Sequence, residues 1–485
     1  MAEFLRSLFD NSTFNWIIRI VMTGYVIFNG RKNPRSSIIW ILMVNIFFIP
    51  GLIFFFLLGR DTRKSKMFAL KKEDDDTLMF LSGLQYDEIN REGYRYNQER
   101  VEDYKDLINL NLNSDNSYFT DDNKVEFFFW GKDKFEALIE DIKRARKSID
   151  IQYYIFRSDK LGKRIISLLE EKAREGVDVR FLYDGFGGRT LRRKYIRALR
   201  DSGVQVAAFF PPILGILNPR INYRNHRKIV VIDDQVAYLG GFNVGDEYLG
   251  KTRRFEVWRD THSRISGGAV FSLKLRFLKD WYYASGQEPN LEEDISPGFQ
   301  DIGNSSAQII SSGPDTRIPN VRNAMISMIN HAKEEIYIQS PYLVLDQSML
   351  DALKMAIIRG LTVNIMLPKN ADHLLVHWCS MSFAKELANY GANIYAYQTG
   401  FMHSKLIFID DIVSTFGSTN LDERSFTLNF ETNIVVYDKE VNDKLRKQFE
   451  IDLESCKQLT VEHFKKRSLF VRAREPIARL FSPIL

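Results

Sequence analysis

The sequence predicts an α/β protein: two similar layered domains, in which short strands alternate with amphipathic helices, behind an N-terminal pair of apolar segments. Three observations lead there. Two long apolar runs open the chain, a strand-helix-strand-helix-strand pattern then occurs twice, and each copy closes on the same spaced set of His, Lys, Asp and Asn.

Length and composition set the frame. At 485 residues, 45% of them apolar and 27% charged, the chain has the balance of a globular protein with room for two to four domains. A net charge of +5 is modest for that length, so no nucleic-acid partner is expected, while basic clusters remain suited to anionic lipid. The two cysteines, Cys379 and Cys456, belong to no paired spacing, which argues against a disulfide framework or a structural zinc site. His373 and His377 stand four apart, but no carboxylate or third histidine at ligand spacing completes a metal site. No metal and no cofactor is expected.

The first element is the apolar pair. Ile38 to Gly59 contains no charged residue and is long enough to cross a hydrocarbon layer of roughly 30 Å. Thr13 to Gly30 is mostly apolar but contains Arg19, and is read as a second span in preference to an interfacial helix or a signal sequence, because Arg31-Lys32-Asn33-Pro34 has no cleavage-site character. Residues 1–60 are therefore expected to form a two-span transmembrane hairpin. Arg6, Arg60, Arg63, Lys64, Lys66, Lys71 and Lys72 outnumber Arg31, Lys32 and Arg35 in the intervening loop, which places the large remainder in the cytoplasm of a multi-pass membrane protein. Buried core helices are the alternative for both runs; their charged flanks, and the uniform apolarity of the second, oppose it.

Residues 61–124, polar and acidic in patches, read as a partly helical linker. From Val125 the repeat begins. Strand-like Val125–Phe129 and Ala307–Ile310 precede helical Lys134–Arg146 and Asn320–Lys333. Ile149–Tyr153 and Ile336–Ser340 follow, both carrying Gln at the corresponding place, and then helices Lys163–Glu175 and Ser348–Arg359 that stop at Gly176 and Gly360. Val177–Leu182 and Leu361–Met366 resume as strands.

Each copy ends on its most specific element. His226-x-Lys228-x4-Asp233 leads to Gly240-Gly241-x-Asn243, and His403-x-Lys405-x4-Asp410 leads to Gly417-Ser418-x-Asn420, every paired position being offset by the same 177 residues. His and Lys two apart on a strand leave the same face. Two such faces brought together offer two imidazoles, two ammonium groups and the amides of Asn243 and Asn420 to one phosphate. One neutral imidazole then attacks phosphorus while the other, protonated, gives its proton to the leaving alcohol. Lys and Asn stabilise charge on the nonbridging oxygens.

These paired motifs resemble those of the phospholipase D superfamily, over roughly Val125 to the C-terminus. The resemblance implies two phospholipase D-like α/β sandwich domains, 125–300 and 301–485, with one active site at their interface and a covalent phosphohistidine intermediate. It makes His226 and His403 the nucleophile and the general acid; His226 is favoured as nucleophile, although the pseudo-twofold symmetry leaves the order open. It implies that Asp233 and Asp410 brace the site and that a further carboxylate orients each histidine. Asp260 and Glu431, each on the segment after a motif, are the candidates, ordinary salt-bridged acids being the alternative. Gly241 in place of Ser418 removes a hydroxyl from one half of the phosphate site and permits close backbone approach.

Flanking features are similar to bacterial cardiolipin synthases: the hairpin with Arg31-Lys32-Asn33-Pro34, the run from Gly417 to Glu431, and the ending Ala478 to Pro483. That family implies reversible phosphatidyl transfer between two phosphatidylglycerol molecules, giving cardiolipin and glycerol at a bacterial cell membrane, with phosphatidylglycerol and anionic membrane lipid as partners. Two apolar features are candidates for lipid contact: Phe209 to Leu217, and Leu469-Phe470-Val471 with Leu480-Phe481 among Arg472, Arg474 and Arg479. Packing inside the protein is the alternative for each. Rival readings are a phospholipase D-type hydrolase, a membrane-bound nuclease, for which a stronger basic track with interleaved aromatics is expected, and an inactive scaffold. Intact His, Lys and Asn in both copies oppose the last.

Overall fold

The computed structural model describes residues 12–29, 34–55, 72–211, 222–251, 256–290, 302–316, 318–370 and 372–484. Two compact units make up the chain: Met1–Lys64 with Pro212–Tyr223 and Ile484, and Ser65–Pro211 with Arg224–Pro483 and Leu485.

In the first unit, α1 (Ser12–Asn29), α2 (Pro34–Ile46) and α3 (Phe48–Phe54) form a helical hairpin around Met22, Val26, Trp40, Val44 and Phe55. Arg19 is accommodated by Asn45, whose backbone carbonyl accepts from the guanidinium, and by the Phe48 ring 5.0 Å away. Asn45 in turn donates to Thr23 Oγ1 at 3.0 Å. The apolar run Ile38–Gly59 is interrupted at Phe47, between α2 and α3. Pro50 accounts for the break, since it has no N–H to return to the carbonyl one turn back at Ile46. Among the described residues no helix is long and apolar enough to cross a membrane; of the expected two-span hairpin, the described residues form the helical hairpin. The residues of the run after Phe55 lie outside the described residues.

The second unit holds the repeat. Its first half contains β1 (Phe119–Trp130), β2 (Ser148–Tyr153), β3 (Asp178–Asp184), β4 (Gln205–Phe209), β5 (Arg224–Asn225), β6 (Ile229–Ile232), β7 (Val236–Gly240) and β8 (Trp258–Ser266). The second contains β9 (Ser305–Ser312), β10 (Glu335–Gln339), β11 (Leu343–Val344), β12 (Thr362–Pro368), β13 (Asn393–Tyr397), β14 (Phe401–Met402), β15 (Leu406–Ile409), β16 (Val413–Gly417), β17 (Leu421–Asp422), β18 (Asn429–Tyr437) and β19 (Cys456–Gln458). Pairing runs β4-β3-β2-β6-β7-β8-β1 in one half and β13-β12-β10-β15-β16-β18-β9 in the other, the same order position for position. β1 joins them, pairing with β9 through Phe119–Asn123 and with β8 beyond. Val231, Leu239, Phe408, Phe416 and Ile434 share one buried cluster, so the halves have a common core.

The helices between strands follow from caps and periodicity. They are α4 (Lys72–Ile89), α5 (Lys105–Asp115), α6 (Gly131–Arg144), α7 (Lys160–Arg174), α8 (Arg193–Asp201), α9 (Ala269–Ser285), α10 (Asn320–His331), α11 (Gln347–Ile358), α12 (Leu374–Tyr390), α13 (Glu423–Thr427), α14 (Lys439–Glu454), α15 (Val461–Lys465) and α16 (Leu469–Leu480). Asp159 accepts from the Gly162 N–H to start α7, and Asp346 accepts from Met349 N–H to start α11. Both stop just before glycines in the left-handed region, Gly176 at φ 93° and Gly360 at φ 94°. The stretch read as a linker is largely folded: Ile89, Val101, Tyr104, Leu107, Ile108 and Leu112 are buried in the core of the second half. Its apolar period is hard to read because a core position of α5 is Asn111, which donates to Gln308 Oε1 at 3.0 Å.

Candidate active site

Each motif lies in the connection between two strands, not within one: His226–Lys228 link β5 to β6, and His403–Lys405 link β14 to β15. The short strand before each motif pairs in parallel with the other half. β5 lies on β18, with Asn225 opposite Phe430, and β14 lies on β8, with Met402 opposite Arg259. The His226 N–H donates to Phe430 O at 2.9 Å and the His403 N–H to Arg259 O at 2.7 Å. One residue further along each partner strand stands a buried acid. Each histidine is thus delivered to the carboxylate of the opposite half: Nδ1 of His226 lies 3.0 and 3.1 Å from the Glu431 oxygens, and Nδ1 of His403 lies 2.6 Å from Asp260 Oδ2. Spacing marks both acids in the sequence but carries no signal of this crossing.

Burial and charge fix the protonation states. Glu431 is held below its ordinary pKa because His226, Lys228 and the Ser418 hydroxyl outweigh the effect of burial, and Asp260 likewise because Lys405 and His403 do. Burial, helped by Lys228 and opposed by Glu431, pushes His226 down; burial and Lys405 take His403 to about 4. The unliganded site therefore favours two neutral imidazoles, each with its Nδ1 turned to a carboxylate. Burial, with Lys405 adding to it, lowers Lys228 to about 7, and burial lowers Lys405 to about 8. The Lys405 ammonium lies 2.8 Å and 3.2 Å from the two His403 ring nitrogens, and Lys228 Nζ donates to His226 O at 2.5 Å. An arriving phosphate reverses this electrostatics, since its negative charge raises all four groups and lets one imidazole carry a proton.

The other sequence candidates divide into contacts and braces. Asp233 and Asp410 lie at left-handed φ of 54° and 49° beyond β6 and β15. Each carboxylate accepts from three successive backbone N–H groups, Arg146 to Ser148 and Lys333 to Glu335, and neither touches an imidazole. Asn243 is committed to the scaffold through its Oδ1, which accepts from Ile155 N–H at 3.1 Å, and through Tyr248. The buried Asn420 Oδ1, by contrast, has no partner among the described residues. The Ser418 hydroxyl donates to Glu431 and accepts from Thr432 N–H at 3.0 Å. At Gly241 an added Cβ would lie 2.0 Å from Asp260 Oδ1; the glycine exists to admit the shorter acid.

A supporting layer was not singled out by motif. Arg227, inside the first motif, donates from Nη1 to both Asp280 oxygens at 2.7 and 2.8 Å, and Gln152 donates to the same carboxylate at 2.7 Å. Arg259 clamps Asp452 through 3.0 and 2.7 Å bonds, and Gln339 donates to that acid at 2.8 Å. The repeated glutamines were the visible part of this layer; their acids lie on α9 and α14, over a hundred positions away. Tyr154 packs edge-on 5.0 Å from the His226 ring and Trp258 lies 5.0 Å from the His403 ring. Phe209 and Phe210 are buried against Phe430 and Tyr283, which is the internal-packing alternative for these two residues, and residues 212–217 of that segment lie outside the described residues. His377 faces Arg467 and Arg474, His373 is exposed, and among the described residues no group of three or more potential ligands gathers for a metal ion.

Two pseudo-symmetric halves, each lending its histidine to the other's carboxylate, define a phospholipase D-like enzyme. The halves match the family described as "Cardiolipin synthase, PLD-like domain" over residues 138–263 and 325–453. The chain is 42% identical to the cardiolipin synthase of Oceanobacillus iheyensis, covering 99% of this chain and 100% of that one. It is 41% identical to the major cardiolipin synthase ClsA of Bacillus subtilis over 100% of both, and 41% identical to cardiolipin synthase 2 of Staphylococcus epidermidis over 97% and 96%. The chain belongs to the cardiolipin synthase family. Its fold is also that of the crystal structure of phosphatidylserine synthase from Haemophilus influenzae Rd KW20, with a TM-score of 0.60 at 15% identity, covering 78% of this chain and 100% of that one.

Proposed function

We propose that the enzyme transfers a phosphatidyl group from one phosphatidylglycerol to the terminal hydroxyl of a second, giving cardiolipin and glycerol, with His226 as nucleophile and His403 as acid and base. The observation that carries this is the crossed pairing of two buried imidazoles with Glu431 and Asp260, beside the buried Lys228 and Lys405. His226 Nε2 forms a bond to phosphorus as the bond to the glycerol oxygen breaks, and His403, protonated once phosphate is bound, gives that oxygen its proton. Glu431 holds the Nδ1–H of the positively charged phosphatidyl-imidazole. In the second step His403 takes the proton of the incoming hydroxyl, its oxygen bonds to phosphorus, and the P–N bond breaks to regenerate His226. Lys228, Lys405 and Asn420 face the nonbridging oxygens; Asp233, Asp410, Asn243, Ser418 and Gly241 keep the shape of the site. The two catalytic halves are residues 125–300 and 301–485.

The second hydroxyl outcompetes water when the intermediate is held where lipid headgroups are concentrated. Residues 1–60 are the proposed anchor, with the catalytic halves on the cytoplasmic side of a bacterial cell membrane. Supporting this, Trp16, Ile20, Phe28, Ile46 and Phe47 of the helical hairpin are exposed, a lipid-facing rather than water-facing set. Purified enzyme in vesicles with labelled phosphatidylglycerol is expected to yield cardiolipin and glycerol in equal amounts. Phosphatidic acid as the main product would defeat the transfer reading and leave a hydrolase.

A further inference from the structure

Helix α16 turns its large apolar residues away from the protein. Leu469, Phe470, Ile477 and Leu480 are 80%, 75%, 58% and 69% exposed, and Arg472, Ala473 and Pro476 complete the same outward face, which contains no carboxylate. The charged residues other than Arg472 turn inward: Glu475 is buried and paired with Arg467, Arg474 lies 4.7 Å over Trp378 of α12, and Arg479 lies 4.2 Å over Phe383. A helix in water shows the opposite arrangement. These inward contacts fix the helix, so the exposed face is a built surface and not a frayed end. Leu374, the first residue of α12, is 65% exposed, and just before α16 lie the exposed Lys465 and Lys466, the latter 3.9 Å from the exposed Glu462 carboxylate. Asp372, next to the start of α12, accepts from the Tyr342 hydroxyl and acts electrostatically on His403 and Lys405, so this helix end reaches the catalytic site.

We propose that the outward face of α16, with the start of α12, is a docking surface for an anionic phospholipid bilayer, separate from residues 1–60, that seats Leu469, Phe470, Ile477 and Leu480 among acyl chains and Arg472 near lipid phosphates. The apolar face without acid, flanked by cations, fits the boundary between headgroups and hydrocarbon. The choice of an anionic lipid rests on the phosphatidylglycerol reading above. Docking here brings the bilayer to the His403 side of the site.

The test uses the full chain carrying Leu469→Ser and Phe470→Ser, and counts phosphatidylglycerol consumed, whatever the product, on vesicles and on a short-chain phosphatidylglycerol dispersed as monomers. Turnover on vesicles is expected to fall about tenfold or more, from the lost insertion of two large apolar side chains, with turnover on monomers unchanged. Arg472→Gln is expected to lower vesicle turnover at low salt only. Unchanged vesicle turnover, or equal loss on both substrates, overturns the proposal. So does loss of a dimer in solution with vesicle turnover intact, which would make a second copy the occupant. Phosphatidic acid as product defeats the transfer reading without affecting this comparison.

Discussion

In the proposed reaction Glu431 and Asp260, which sit against Nδ1 of His226 and His403, determine which nitrogen of each histidine can react. Glu431→Gln keeps the side chain's size but offers an amide that can donate to Nδ1, favouring the tautomer with its proton on Nε2 and removing the nucleophilic lone pair. The expected result is a fall in kcat of about 10²–10⁴-fold with KM little changed, seen in steady-state kinetics; a change in KM alone would argue against a positioning role. The lysines set the pH dependence. In the free enzyme Lys228 titrates near 7 and Lys405 near 8. Raising the pH through that range removes the positive charge that receives phosphate. kcat/KM should therefore decline from pH 7 to 9, while kcat, reporting the complex in which phosphate raises both lysines, should decline less. A flat kcat/KM across that interval would contradict the assignment. Gly241 gives a third test. Gly241→Ser alone must displace Asp260 from His403, since the new Cβ has a carboxylate oxygen 2.0 Å away, and activity should fall as it does for Asp260→Asn. Adding Asp260→Glu transplants the Ser418–Glu431 pair into the first half and should restore part of it.

Among elements, the turns that lead into β2 and β10 depend on the last residue of each motif. Asp233 and Asp410 each accept from three backbone N–H groups, so Asp233→Ala or Asp410→Ala should cost about 1.5–3 kcal/mol of stability, read from a denaturant transition. Turnover per folded molecule should stay within about a few-fold; complete loss in a fully folded variant would give the aspartate a direct chemical role. Strands β1, β2, β3, β9, β10 and β12, helices α6, α7, α10 and α11, and the Gly176 and Gly360 stops were legible because period, caps and left-handed glycines are local properties. Other elements were not. The His-x-Lys segments lie between strands, since each is pulled from its own sheet by β5 or β14 pairing with the other half. The stretch 61–124 read as a partly helical linker and not as part of a core; in α5, Asn111 interrupts the apolar period at a buried position and finds its partner, Gln308, 197 positions away.

For the molecule as a whole, repetition made the pair of sites legible but not their exchange. A 177-residue offset says that two half-sites exist; only the pairing of β5 with β18 and of β8 with β14 says that Glu431 serves His226 and Asp260 serves His403. The exchange is internal to one chain, locked by the Arg259–Asp452 pair, fully buried at 2.7 Å, and by the long strand β1 that belongs to both halves. Breaking such a pair leaves an uncompensated buried charge until it re-forms, so the halves face a high barrier to separating and swapping between copies. His226→Ala and His403→Ala should each abolish turnover, and a mixture or co-expression of the two variants should remain inactive. Each chain then contains one defective imidazole in its only site. Recovery of a substantial fraction of wild-type turnover in the mixture would show instead that copies trade halves, and that the site is assembled between chains.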